Sequence, residues 1–202
     1  MLLMRLLALL CVIAAMVATS ASASTGGKWA THRSTGGGFT VAAPSTWIDM
    51  TRLTPQVLAK TKTMPALQQY VDLLRTTKAI KLLLADVSIT SLANQYASNL
   101  NVVQAPTVGD LKFMRDASVA SLESTGVVEG TVHSAYMTLP AGKAAHLTYL
   151  ARFKAATPEV ALQQFMFVRA GKVTILTYTT LPKLRSTYAA AIARSIHSFR
   201  FR

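Results

Sequence analysis

The strongest constraint on this chain lies between Val127 and Thr180, where apolar and polar residues alternate in runs separated by short turn-forming stretches. Alternation at a period of two marks strands with one buried face. The set Ala145, Leu147, Tyr149, Ala151 and Phe153 points one way, with His146, Thr148, Arg152 and Lys154 opposite. The same punctuation occurs twice. "AGKAAHLTY" at 141–149 and "AGKVTILTY" at 170–178 share Ala-Gly-Lys, three variable residues and Leu-Thr-Tyr. "LPAGK" and "VRAGK" each put Gly at the third position of a three-residue hairpin loop. A type I turn with a G1 bulge needs φ > 0 there, and Gly meets it without a Cβ clash. That loop predicts Leu139 opposite Lys143 and Val168 opposite Lys172. Counting outward pairs Ala135 with Leu147, Phe167 with Val173 and Phe165 with Ile175, apolar on one face as a half-buried sheet requires. The recurrence reads as two hairpins rather than a duplicated binding element, and it is too short for a repeat architecture.

Helices and further strands flank this region. "GFTVAAPSTW" reads as a short strand, a proline break and a second segment led by Trp47, which is expected to be a core anchor. Thr54-Pro55 opens a helical stretch with Pro at a permitted first-turn position. After Pro65, Leu67, Tyr70, Val71 and Leu74 fall on one helix face. "KLLLADVSI" and "SNLNVVQAP" read as strands, the second ended by Pro106. Thr107 and Asp110 form an S/T-x-x-D helix start, Leu111, Met114, Ser118 and Leu122 its apolar face, and Gly126 its stop. In the final helix Leu184, Tyr188, Ile192, Ile196 and Phe199 mark a buried stripe, with Arg185 and Arg194 off it. No long linker divides residues 38–202, so one α+β domain is expected. Residues 24–37 are polar and close on a run of Gly, and they read as a flexible linker. No Gly-Lys-Ser/Thr follows that run, which argues against a phosphate loop.

The first residues carry a different signal. Arg5 precedes an apolar run from Leu6 to Ala18, and small residues lead to Ala21-Ser22-Ala23. That is the layout of a secretory signal peptide over 1–23, with cleavage expected before Ser24 and a retained anchor as the alternative. The run is about 13 residues, short of the roughly 20 that span a bilayer as a helix. Cys11 follows Leu10 in the middle of the run, where a lipidated Cys does not belong. Conventional cleavage leaves a cysteine-free chain, without disulfides, thiolate metal sites or a Cys nucleophile. Removing Arg5 leaves 20 basic against 8 acidic residues, a formal charge of +12. Outside the cytoplasm the polyanions such charge would meet are lipid headgroups and wall polymers rather than nucleic acid, but the basic residues are scattered and not clustered in a run, so solubility and weak non-specific attraction are the expected consequence.

No reactive constellation assembles from the sequence. The expected hairpin register sets His146 opposite Tyr136 and His133 opposite Tyr149, so the two histidines project from opposite faces. A one-residue shift would reverse this, and Glu129 would still have to supply a third ligand. His133-Ser134 are strand neighbours on opposite faces and form no dyad. There is no G-x-S-x-G elbow, and the carboxylates are scattered. Asp72 and Asp110 have helix-surface or helix-start readings. Asp86, inside an apolar strand, is expected to face outward at an edge or to meet a basic residue. An enzyme built from Asp86 or Glu129 with His133 is the remaining catalytic alternative. No catalytic, cofactor-binding or metal-binding residue is assigned, and no cofactor is expected.

Gly38-Phe39 with Pro44 and Trp47, Asn99-Leu100-Asn101-Val102-Val103 and the closing Ser198-Phe199-Arg200-Phe201 resemble the PsbP-like fold that the Ran-binding Mog proteins share. The likeness spans 38–201 and is greatest to the bacterial secreted LpqN-type envelope proteins. The resemblance implies a central antiparallel β-sheet flanked by helices on both faces, an α/β/α sandwich. It also implies non-enzymatic accessory, adaptor or ligand-binding work, with no family catalytic motif to carry over. The expectation is therefore a secreted accessory protein of the cell envelope that engages a protein partner or envelope ligand. The alternative is a basic module that associates electrostatically with anionic wall polymer or lipid headgroups.

Overall fold

The computed structural model describes residues 27–34, 36–53, 79–153 and 158–202. The signal segment with Cys11, the helical stretch over Thr54–Leu74, Asp72 and Lys154 lie outside the described residues. Strands β1 (Trp29–Arg33), β2 (Phe39–Pro44) and β10 (Arg200–Phe201) form a small antiparallel sheet in the order β1-β2-β10. The larger sheet comprises β3 (Trp47–Asp49), β4 (Ile80–Asp86), β5 (Asn99–Pro106), β6 (Val128–Leu139), β7 (Gly142–Ala151), β8 (Val160–Arg169) and β9 (Lys172–Thr180). Its order is β3-β4-β5-β9-β8-β7-β6, antiparallel throughout. Helices α1 (Ile89–Ala93), α2 (Leu111–Ser124) and α3 (Arg185–Ser198), with short 3-10 turns at Met50–Arg52 and Pro182–Leu184, complete the described elements. The fold is mixed α+β, with two antiparallel sheets where one was expected.

Part of the expected linker is structured. Residues 29–33 form β1, pairing along its full length with β2 from Trp29–Pro44 to Arg33–Thr40. Five strand residues need only a partner edge and a tight return, and the Gly run supplies the return. Gly38 takes φ +62, which a Cβ would strain.

Both hairpins exist, each one residue tighter than expected. Leu139 pairs with Gly142 and Arg169 with Lys172, leaving two-residue loops at Pro140-Ala141 and Ala170-Gly171. The common tripeptide thus sits in two different turns. In the second, Ala170 (φ 50) and Gly171 (φ 69) form the left-handed pair of a type I′ turn. The same loop at Ala141-Gly142 would require Pro140 in the closing pair, where it lacks the N–H to donate. The first loop therefore lies one residue earlier.

Helix α2 begins after Asp110, whose carboxylate accepts from the Phe113 N–H at 2.7 Å, and not at Thr107. Thr107 Oγ1 is engaged locally, accepting from the Gly109 N–H at 3.1 Å. The buried alternation of β7 holds for Ala145, Leu147, Tyr149 and Ala151. Phe153 lies past the strand end and is exposed.

The largest core cluster joins the inner residues of the small sheet (Phe39, Val41, Ala43) to Leu84, Leu100 and Leu176 of the large one. Tyr188, Ile192 and Ile196 of α3 pack into it, as their spacing predicts, and Trp47 is buried there. Phe199 follows the helix end and is fully buried. A second cluster holds Leu147, Tyr149 and Leu162, with Leu111, Met114 and Leu122 of α2 packed against it.

Ala170 is a non-Gly residue held at positive φ, a conformation costing about 1–2 kcal/mol. Ala170→Gly is expected to stabilise the fold by about 0.5–1 kcal/mol once the added unfolded-state entropy is deducted. Equilibrium denaturation checks this; a loss of stability would contradict the turn assignment.

Candidate functional site

Asp86 closes β4 next to Leu82 and Leu84 on the apolar face of the sheet. It neither faces outward nor meets a basic residue: it is 2% exposed and, among the described residues, has no cationic partner. Its carboxylate instead accepts a shell of neutral donors. The Ser88 N–H and Oγ donate at 3.0 and 2.9 Å, Ser91 Oγ at 3.1 Å, and the Tyr188 hydroxyl at 2.5 Å. The serine contacts are local, an Asp turn running into α1. The tyrosine contact crosses 102 positions from α3. Trp47, opposite Asp86 in the ladder, meets the Tyr188 ring edge-on at 6.1 Å. Hydrogen bonds to the charged form are one way a carboxylate is kept in an apolar interior. The spacing of "DVSITS" signals the turn, but nothing in the sequence signals Tyr188.

A second polar network lies farther along α3. The Tyr178 hydroxyl donates to Ser195 Oγ at 2.9 Å, and Ser195 Oγ donates to the Ala42 carbonyl at 2.7 Å. The Ala42 N–H donates to Ser198 Oγ at 2.7 Å, and that hydroxyl donates to the Ser195 carbonyl at 2.6 Å. Two helix hydroxyls thus stand in for a neighbouring strand beside β2.

The histidines change places relative to expectation. The observed register sets His146 opposite Ala135 and His133 opposite Thr148, so both project from the same face. They are not in one environment. The His146 ring stacks on Phe165 at 4.4 Å and is half-buried, whereas His133 is exposed. Burial lowers the His146 pKa, opposed by a Gln163 hydrogen bond and reinforced by Arg185. Glu129 lies across a β-bulge and pairs with Arg152 at 3.3 Å. Among the described residues no three His, Cys, Asp or Glu side chains converge to hold a metal ion. Asp86 and His133 sit on β4 and β6, five strand spacings or roughly 24 Å apart across the sheet.

No protein-family model and no curated protein matches this sequence. Solved structures do. The chain is similar to cyanobacterial PsbP (CyanoP) from Synechocystis, with a TM-score of 0.56 and 11% identity, over 92% of this chain and 99% of that one. It is also similar to the Ran-binding protein Mog1p of Saccharomyces cerevisiae, with a TM-score of 0.51 and 11% identity, over 86% and 95%. The fold is PsbP/Mog1-like. At this identity the likeness establishes the fold alone.

Burial pushes the Tyr188 phenol up to about 12, with the Asp86 charge and hydrogen bond adding to the rise. Burial alone takes Tyr149 to about 12 and drives Tyr178 well upward. Unfolded phenols lose their protons near 10, so between 10 and 12 the folded state holds more protons than the unfolded one. Stability should therefore fall across that window, with these three phenols ionising only as the chain unfolds. Ultraviolet titration in which all six tyrosines ionise together near 10, with the fold intact, would refute this. Tyr188→Phe removes a hydrogen bond to a buried charge and should cost about 1.5–3 kcal/mol in denaturant unfolding.

Proposed function

We propose that the chain is a secreted, non-enzymatic accessory protein of the cell envelope that works by binding a protein partner or envelope ligand. The observation that carries this reading is the engagement of Asp86 and Tyr178 by neighbouring hydroxyls inside the fold. Asp86 accepts from Ser88, Ser91 and Tyr188, and Tyr178 donates to Ser195, which donates to the Ala42 carbonyl, so these acidic and phenolic groups are engaged in holding α3 to the sheets. Mog1p, on a similar fold, is a Ran-binding protein, which supports binding as work this scaffold accommodates. The signal-peptide pattern over 1–23 supports export, with Ser24 as the first residue of the working chain.

The same reading takes the chain as one of the bacterial LpqN-type envelope proteins. It also takes the scaffold as an α/β/α sandwich. In support, α3 packs with Leu84, Leu100 and Leu176, while α2 packs against the separate cluster of Leu147 and Tyr149.

The deciding experiment uses the chain from Ser24 to Arg202 as bait for native envelope extract, washed at low and then high salt. A defined, saturable species surviving high salt is the expected result. Failure to retain any such species across envelope fractions overturns the partner-binding reading.

A further inference from the structure

One face of the small sheet carries arginine and, among the described residues of its strands, no Asp or Glu. In β2, Phe39, Val41 and Ala43 are buried inward, so Thr40, Ala42 and Pro44 face out. The register places Arg33 and Arg200 on either side of Thr40 in a single cross-strand row, and Trp29 opposite Pro44 on the same face. Arg202 donates its N–H to the Gly38 carbonyl at 2.8 Å, continuing the ladder, so alternation returns its side chain to the face of Arg200. From α3, Arg194 lays its guanidinium 4.1 Å from the centre of the Trp29 ring. β1, β2, β10 and α3 contain no Asp or Glu. Arg200 Nη1 donates to the carbonyls of His197 and Phe199, each at 2.7 Å. Arg194 and Arg200 are thus held in place by neutral groups, and among the described residues neither has a carboxylate partner.

We propose that this face docks on an anionic phospholipid bilayer, with Arg33, Arg194, Arg200 and Arg202 against headgroup phosphates and Trp29 at the interface. The proposal rests on the extracytoplasmic binding reading and adds to it the surface and the partner. Charge sets the sign of the partner, and the layout sets its shape. Arg33 and Arg200 stand two strand spacings apart, roughly 10 Å, and Trp29 lies roughly 13 Å along β1 from Arg33. A linear polyanion is tracked by a charged groove. Here the charges spread in two dimensions over an open sheet, which matches a planar array of headgroups. An indole beside them suits the boundary between headgroup and acyl chain. Each Arg close to an anionic membrane raises partitioning by roughly fivefold.

The test uses the chain from Ser24, which retains every described element, with vesicles of phosphatidylglycerol and phosphatidylcholine or of phosphatidylcholine alone. Co-sedimentation is expected only with the anionic vesicles. The protein has two tryptophans, and Trp47 is buried at 4% exposure, so any blue shift in emission on binding comes from Trp29 and should vanish in Trp29→Phe. Arg33→Gln with Arg202→Gln should weaken binding roughly 30-fold. Lys112→Gln with Lys143→Gln removes the same charge on the α2 side of the large sheet and should weaken it less than about threefold, that side lying beyond a Debye length of about 8 Å from the membrane. Circular dichroism confirms folding of each variant, and Arg33→Gln alone serves if the double variant is unstable. Equal losses in the two double variants, or binding with no change in emission, would overturn the proposal. So would tighter binding to soluble polyphosphate than to vesicles. If vesicles are not bound but a salt-resistant envelope species is, the bilayer proposal fails and the binding reading stands; if neither is bound, both fail.

Discussion

The structure turns on the point where α3 ends. Phe199 is the first residue past the helix, fully buried, with its ring 5.4 Å from Phe39, 5.3 Å from Phe167 and 5.0 Å from Phe201. Those neighbours belong to β2, β8 and β10, so one ring joins the small sheet to the large one. Truncating a phenylalanine in such a site costs about 3–5 kcal/mol, a large part of the stability of a single domain. One turn earlier, Ser195 and Ser198 satisfy the Ala42 carbonyl and N–H that β10, two residues long, does not reach. Packing and polar satisfaction therefore act at the same place. The rings set the distance between the sheets, and the hydroxyls make that distance compatible with a paired β2.

Asp86 extends the same logic to the other end of α3. A buried carboxylate without its donors is costly, and its donors come from the turn after β4 and from Tyr188. The helix is thus held at two points, through Tyr188 near its start and Ser195 to Phe199 near its end. Between them Ile192 and Ile196 fill the core. An acid, two phenols and several hydroxyls are all used to fix where one helix lies.

Local pattern made much of this legible. The alternation of 145–151, the stripe of α3, the anchoring Trp47 and the strands around "KLLLAD" and "NLNVV" follow from periodicity and burial. What stayed hidden depended on distant partners. Asp86 looked misplaced because Tyr188 lies 102 residues away. The "WATHR" segment looked like linker because its stability comes from β2 rather than from its own composition. The arginine face was also invisible: Arg33 is far in sequence from Arg194 and Arg200, and only the register of the small sheet puts Arg33 and Arg200 in one row.

The twin hairpins show how small the deciding difference can be. Identical Ala-Gly-Lys tripeptides fold into different turns because the residue before one is Pro140 and before the other Arg169. Proline cannot donate in a closing pair, so the first loop slides one residue toward the N-terminus, and Gly142 enters the strand at φ 121. In a strand, a slip of one residue exchanges faces. It brings His133 and His146 to the same side, where the expected register kept them apart. Even so they remain separate in chemistry, since Phe165 claims the ring of His146 while His133 stands in solvent at the outermost strand. Shared facing is necessary for a two-histidine site, but burial and stacking decide whether the side chains are free to meet.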